Sequence, residues 1–300
     1  MYLIIIKKMK SVNKNFKNIN FKHSLGQNFL IDEFIFDDIV KSSMINENDY
    51  VLEIGAGNGA LTKCLASSAK IVITIEIDKN LIPILKSNLS EYNNIIIIND
   101  DFLKIDFKLI INSFEKFGFD KNFNHIKLVA NLPYYITSDI VNSTLTNPYI
   151  SDMTIMVQKE VGERIVASIN TKNFGILTLF CNYFGVSKFL FVVSKKCFYP
   201  IPKVDSAVVR IEKYEKFIDI NNKNNFMIKE NKDYKNLFKL IKCSFSQRRK
   251  KLINSLSNTL KLDKEYINEV FDKMHFDKNI RAENLSLSDY EQLSKIIFVD

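Results

Sequence analysis

Tryptophan is absent from the 300 residues, and histidine, cysteine, proline and glycine number only three, four, five and eight. The cysteines, Cys64, Cys181, Cys197 and Cys243, lie far apart with no Cys-x-x-Cys pair, and the histidines stand singly at 23, 125 and 275. That spacing argues against a disulfide framework or a zinc site and suits a reducing compartment. No apolar run approaches the roughly 20 residues a membrane-spanning helix needs. The longest are strand-like stretches such as Ile71–Ile77 and Phe189–Val193, so a soluble protein with no membrane partner is expected. Acid is missing from the start of the chain, where Lys7, Lys8, Lys10, Lys14, Lys17 and Lys22 precede the first carboxylate, Asp32. Residues 1–20 read as a basic, flexible arm, without the arginine and serine enrichment of a transit peptide.

Arginine is scarce as well, with five among the 42 basic residues. Against 34 acidic residues the net charge is +8, a balance that fits a polyanionic partner but equally a solvated surface rich in lysine. A hydrophobic fraction of 46% excludes disorder of the whole and supplies a core for one large domain with a smaller companion.

Past the arm, β-branched runs at Tyr50–Ile54, Ile71–Ile77, Ile95–Asn99, Lys127–Asn131 and Met153–Val157 alternate with helix-period segments. Such alternation predicts an α/β fold with a mostly parallel sheet covered by helices. Phe189–Val193 and Ala207–Ile211, separated by a segment holding Pro200 and Pro202, suit a hairpin-like pair at one edge. After Tyr214 comes a polar tract, Asn221-Asn222-Lys223-Asn224-Asn225, and then helix-period sequence in which Leu237, Leu240, Ile241, Phe245, Leu252, Ile253, Leu256 and Leu260 recur as a buried stripe. The expected organisation is an arm at 1–20, an α/β domain at 21–214 and a small helical domain at 215–300.

Three of the eight glycines, Gly55, Gly57 and Gly59, fall within five residues directly after the strand Val51-Leu52-Glu53-Ile54. Clustered glycines mark a tight turn or a backbone that approaches a ligand without Cβ atoms. Glu76 ends the next strand, 21 residues after Gly55, where a carboxylate can accept both hydroxyls of a ribose. The spacing is Gly-x-Gly-x-Gly and Glu53 precedes it, so a pyrophosphate would be repelled and a cationic, phosphate-free nucleoside such as S-adenosylmethionine favoured. Asp100 and Asp101 end the third strand; one of them is expected to accept a hydrogen bond from an adenine amino group, the other reading being a solvated turn. The fourth strand ends in Asn131-Leu132-Pro133-Tyr134, at the carboxyl edge where doubly wound sheets bind ligands. The exocyclic amine of a base is a weak nucleophile because its lone pair is delocalised into the ring. The Asn131 amide oxygen and Leu132 carbonyl are suited to hold it while the Tyr134 ring stacks on the base.

These residues, with Leu25-Gly26-Gln27-Asn28-Phe29-Leu30, Phe198-Tyr199-Pro200-Ile201-Pro202-Lys203-Val204-Asp205-Ser206 and Arg281-Ala282-Glu283-Asn284-Leu285-Ser286, give a chain that resembles the small-subunit ribosomal RNA adenine N6,N6-dimethyltransferases from about Lys22 onward. The resemblance implies a Rossmann-like methyltransferase sheet with a small C-terminal helical domain and S-adenosylmethionine as cofactor. The implied activity is dimethylation of two adjacent adenosines near the 3′ end of small-subunit ribosomal RNA, during ribosome biogenesis. It further implies that Gln27, Asn28 and Leu30 close over the cofactor, that Glu53, Gly55 and Gly57 line its methionine end, that Glu76 and Ile77 hold the ribose, and that Asp101 and Phe102 border the adenine. Asn131 would face both target amine and cofactor, and Phe198 would sandwich the flipped adenine against Tyr134 unless it packs in the core. Ala56 stands where the family commonly has proline, and Phe102 where a small residue is usual, which unsettles the adenine contacts.

Arg248-Arg249-Lys250-Lys251 follow Phe245 on a predicted helix and, with Lys22, are expected to contact RNA phosphates. The expected partner is the RNA within a precursor of the small subunit, met by a monomer in the cytoplasm. Two other readings are a large-subunit adenine dimethyltransferase of the macrolide-resistance type and a noncatalytic RNA-binding assembly factor. Leu132, the C-terminal helical domain and Arg281-Ala282-Glu283-Asn284-Leu285 favour the small-subunit enzyme.

Overall fold

A computed structural model describes residues 28–121, 124–218 and 228–298. The basic arm, Lys22, Gln27 and the Asn221–Asn225 tract lie outside the described residues. The chain runs β1 (Phe29–Leu30), α1 (Glu33–Ser42), β2 (Tyr50–Ile54), α2 (Ala60–Ala66), β3 (Ile71–Ile75), α3 (Ile82–Asn88), β4 (Ile95–Ile98), α4 (Phe107–Glu115), β5 (Ile126–Asn131), α5 (Thr137–Leu145), β6 (Ile150–Gln158), α6 (Lys159–Ile165), α7 (Ile176–Phe184), β7 (Gly185–Val193), β8 (Phe198–Tyr199) and β9 (Ser206–Lys213). Four helices follow: α8 (Lys232–Phe245), α9 (Leu252–Leu260), α10 (Lys264–Lys273) and α11 (Leu287–Ile297).

Seven strands form one sheet in the order β4-β3-β2-β5-β6-β9-β7. The first five pair in parallel, whereas β9 is antiparallel to both β6 and β7. Every residue of β2 and β3 is buried, which is why these strands read as unbroken apolar runs instead of alternating ones. The expected edge pair is present but longer than the sequence suggested, because β9 lies inside and only β7 is at the rim. Strand order reverses between β2 and β5, and a crevice opens at such a point outside the carboxyl ends of the strands.

The helices after residue 228 pack on the sheet domain through shared apolar contacts. Phe180 and Tyr183 of α7 meet Phe238 of α8 with ring centroids 5.4 and 5.5 Å apart. The loop before α7 is a second fastening point. There the Asn170 N–H donates to the Glu283 carbonyl at 2.9 Å, and the Asn284 amide donates to Asn170 Oδ1 at 2.7 Å.

The four-cation run is not helical. Helix α8 stops at Phe245 and α9 begins at Leu252, so residues 248–251 form the turn between them, and the apolar stripe with its gap of seven is that of a helix pair. Within that turn the Arg248 guanidinium donates to the carbonyls of Lys172 and Phe174 at 2.7 and 3.0 Å. Lys251 donates to Asn279 Oδ1 at 2.5 Å. All four cations are exposed, but Arg248 and Lys251 tie the turn to other segments through these bonds.

Candidate active site

The crevice at the strand-order reversal is a cavity of about 1090 Å³ counted out to its open mouth, of a size that houses a nucleoside-sized ligand. Its wall brings together Asn28, Leu30, Glu53, Gly55, Gly57, Glu76, Ile77, Asp101, Phe102, Asn131, Leu132 and Tyr134, from five segments of the sequence. All of these were expected from the residues or the resemblance.

The glycine loop turns sharply after β2, with Gly55, Gly57 and Gly59 at φ of +79°, +58° and +84°, a region costly for residues with a Cβ. Its shape is held from β3: Glu76 Oε2 accepts the Gly57 N–H at 2.9 Å, and Oε1 accepts the Asp78 N–H at 2.8 Å. Burial raises the Glu76 pKa, and these two backbone donors oppose the rise. Each oxygen of an ionised carboxylate keeps acceptor capacity for a ribose hydroxyl. Asn99, which the sequence analysis did not single out, donates its amide to the Glu76 carbonyl at 2.7 Å and anchors the end of β3 from beyond β4.

Glu53 is buried in the middle of the sheet. Its Oε2 accepts the hydroxyls of Thr62 and Thr74 at 2.6 and 2.7 Å. Burial pushes its pKa up to about 7 despite those two bonds, and the nearby Glu76 charge adds to the rise. The threonines were missed because one lies on α2 and the other on β3; only the fold brings them to Glu53.

Beyond β4, Asp101 Oδ1 accepts the Leu103 N–H at 3.0 Å, and Oδ2 lies 3.2 Å from Lys104 Nζ. Phe102 is buried and forms part of the wall, so the bulkier residue is accommodated inside the pocket. Phe29 closes the opposite side: a Cβ on Gly57 would lie 3.0 Å from its ring. That residue carried no expectation, although it sits between Asn28 and Leu30, which did.

Asn131 ends β5 beside the loop, its carbonyl 3.7 Å from where a Gly55 Cβ would be. The Leu132 N–H bonds the Met156 carbonyl at 3.0 Å, continuing the strand pairing by one residue. Pro133 then bends the chain into a short 3₁₀ turn over Tyr134–Ile136. The Tyr134 hydroxyl shares a 2.8 Å hydrogen bond with Ser206 Oγ at the start of β9, which sets the position of the ring, and burial raises its pKa.

Phe198 is a correction. It is 1% exposed, pairs with Leu30 in the β1–β8 ribbon and packs with Leu30, Val193 and Val208, so it is not part of the cavity wall. Strand alternation sends neighbouring side chains to opposite faces. Here it turns Tyr199 toward Phe29 and Leu81 and Phe198 into the core.

Among the described residues, the wall holds four carboxylates, from Glu53, Glu76, Asp100 and Asp101, and no lysine, arginine or histidine. An acidic wall over Cβ-free backbone repels phosphate and suits a cationic nucleoside that has none. S-adenosylmethionine, with its sulfonium and ammonium, fits this donor set, and sheet and wall together place the chain among the S-adenosylmethionine-dependent methyltransferases. Comparison narrows that class. The family model described as ribosomal RNA adenine dimethylase matches residues 18–297, and the chain belongs to this family.

Its relatives include the ribosomal RNA small subunit methyltransferase A of Clostridium acetobutylicum, 41% identical over 283 residues that span 94% of this chain and 95% of that one. The protein of the same name from Clostridium botulinum (strain ATCC 19397 / Type A) is 42% identical over 93% of this chain and 94% of its own. Among solved structures, a dimethyladenosine transferase from Plasmodium falciparum matches with a TM-score of 0.69 at 26% identity, covering 87% of this chain and 94% of that chain. A 23S rRNA methyltransferase matches with a TM-score of 0.63 at 24% identity, covering 89% and 98%, and shares the fold.

Proposed function

We propose that this protein dimethylates N6 of two adjacent adenosines near the 3′ end of small-subunit ribosomal RNA, acting as a cytoplasmic monomer on a precursor of the small subunit. The observation that carries this reading is that Asn131, Leu132 and Tyr134 share one cavity wall with Glu53 and Glu76, which puts amine acceptors and an aromatic ring beside a nucleoside-type pocket. The small-subunit names of relatives aligned over almost the whole chain support the choice of RNA.

Glu76 would hold the ribose of S-adenosylmethionine, Glu53 and the glycine loop its methionine end, and Asp101 and Phe102 its adenine. Bound there, that group would supply an electrophilic methyl. The chain's own contribution is orientation. The Asn131 amide oxygen and Leu132 carbonyl accept from the target amino group, which opposes delocalisation of its lone pair into the ring. Tyr134, pinned by Ser206, supplies a face for the extruded base. An alkylated amine is acidic, so its proton can pass to water and no histidine or cysteine base is required. Residues 21–214 form the catalytic part in this reading and residues 215–300 an RNA-binding part to which Arg249 and Lys250 contribute.

The test is transfer of labelled methyl from S-adenosylmethionine to unmethylated small ribosomal subunits, with large-subunit RNA in parallel and an Asn131→Ala protein as control. Label mapping to paired adenosines of the small-subunit RNA, and lost in the variant, is the expected result. Label confined to large-subunit RNA, or absent from both, would overturn the reading.

A further inference from the structure

A second depression lies on the same side of the molecule, between the sheet domain and the C-terminal helices, with about 1360 Å³ of space counted to its open mouth. One wall is α5, the helix that follows the Asn131–Tyr134 corner. Tyr135 and Ile136 line the active-site cavity, and Ser138, two residues on, lines this groove together with Asn142. Helix α7 enters the groove with its first residues, Ile176 and Leu177. It runs back to the amino edge of the sheet, where Gly185 starts β7, so its N-terminal end lies at the carboxyl edge, as the catalytic cavity does.

The far wall is α8. Tyr234 and Phe238 sit at its base, 4.7 Å apart between ring centroids, and Phe238 is edge-on to Phe180 of α7 at 5.4 Å. Above them Lys235, Lys239 and Lys242 project along the rim, spaced four and three residues apart and therefore on one face of the helix. All three are exposed. Lys235 pairs with Glu230 at 2.6 Å, both side chains more than half exposed, a contact that a phosphate can displace at small cost. Lys239 lies 5.4 Å from the centre of the Phe298 ring. Among the described residues, no carboxylate lines the groove. An apolar, partly aromatic floor under a rim of one charge sign is the combination that takes single-stranded nucleic acid, with bases on the floor and phosphates on the cations.

We propose that this groove seats the single-stranded RNA segment adjoining the target adenosine, with its phosphates on Lys239 and Lys242 and an unstacked base against Tyr234 and Ile176. The proposal rests on the RNA-methylating reading of the neighbouring cavity and adds the place where the substrate strand continues. It adds phosphate contacts on α8 to those proposed for Arg249 and Lys250 in the α8–α9 turn.

The experiment compares the full-length protein with a Lys239→Glu/Lys242→Glu variant and with Lys108→Glu/Lys116→Glu, a control carrying the same charge change outside the groove lining, on α4 and the residue that caps it. Binding to unmethylated small ribosomal subunits and to their protein-free RNA is measured across a salt series, beside methyl transfer, S-adenosylmethionine affinity and Tm. The groove variant is expected to bind RNA about ten-fold more weakly, with a log K against log salt slope shallower by about two, one for each phosphate that the lysines no longer neutralise. Its KM for subunits should rise while kcat, cofactor affinity and Tm stay close to those of the unaltered protein. Ultraviolet cross-linking is expected to join the peptide containing Tyr234 to RNA within a few nucleotides of the methylated adenosines. A groove variant that matches the control in affinity and slope, or a cross-link from Tyr234 to a ribosomal protein, would overturn the groove assignment. Should the unaltered protein transfer no methyl to small subunits, the activity reading fails by itself, and the binding series and cross-link still decide the groove.

Discussion

The Gly57 N–H and the Glu76 carboxylate are joined by a 2.9 Å hydrogen bond across the mouths of β2 and β3. The residue proposed to hold the ribose thus also fixes the curvature of the glycine loop. Both Glu76 oxygens accept backbone N–H groups, so a glutamine there must aim its amide nitrogen at one of two donors. Glu76→Gln is expected to lose on the order of 1–3 kcal/mol of stability and at least about ten-fold in cofactor affinity. Denaturant unfolding and calorimetric titration with S-adenosylmethionine measure the two. A variant with unaltered affinity would separate the loop from the ribose acid.

Gly57 also lies against the Phe29 ring. An alanine at Gly57 carries the left-handed φ of +58° and places its Cβ 3.0 Å from the Phe29 ring. Gly57→Ala should therefore combine backbone strain of about 1 kcal/mol with displacement of the ring that closes the cavity. Phe29→Ala relieves only the second effect. The expected result is non-additivity: cofactor affinity in the double variant falls by less than the product of the two single losses. Simple additivity would mean that Phe29 moves aside freely.

The readable parts of this molecule were those carried by local pattern. Tyr50–Ile54 is a strand with the bounds its apolar run indicates, and Glu76 was singled out by its distance from the glycines along one β-α-β unit, which brings it to the cavity wall beside them. What stayed hidden depends on tertiary pairing. Thr62, Thr74 and Asn99 reach Glu53 and Glu76 from other elements, and no spacing in the chain announces them. Phe198 was misplaced because its direction is set by pairing with Leu30, 168 positions earlier. The run 248–251 was misplaced because the seven-residue gap in the apolar stripe is where one helix ends and another begins.

Glu53 supplies a pH dependence whose sign follows from its burial. Its pKa stands at about 7 in the fold against 4.5 for the free side chain, so between those values the folded state binds the extra proton. Stability contributed by Glu53 is then greatest at low pH, falls as pH rises from 4.5 to 7, and levels off above. Relative to Glu53→Gln, the unaltered protein is expected to lose on the order of 3 kcal/mol over that window. A cationic ligand reverses the preference, since it favours the carboxylate. Affinity for S-adenosylmethionine should rise with pH up to about 7, with proton release visible as a buffer-dependent heat in calorimetry, and Glu53→Gln should abolish both. A flat pH profile would remove Glu53 from the ligand's surroundings.

Arg248 and Arg249 are adjacent, yet the structure gives them different work. The Arg248 guanidinium holds the Lys172 and Phe174 carbonyls and so ties the α8–α9 turn to the loop ahead of α7, where Asn170 also meets Glu283 and Asn284. Arg248→Ala removes two charge-assisted bonds at a partly exposed joint. It should lower stability by about 1–2 kcal/mol, read as a fall in Tm of several degrees. Arg249→Ala and Lys250→Ala have exposed side chains and should leave Tm almost unchanged, while each reduces the salt slope of RNA binding by about one. The two readouts separate the roles: a variant of Arg248 that weakens RNA binding without lowering Tm would return that residue to the RNA surface, and a change at Arg249 that lowers Tm would place it in the joint.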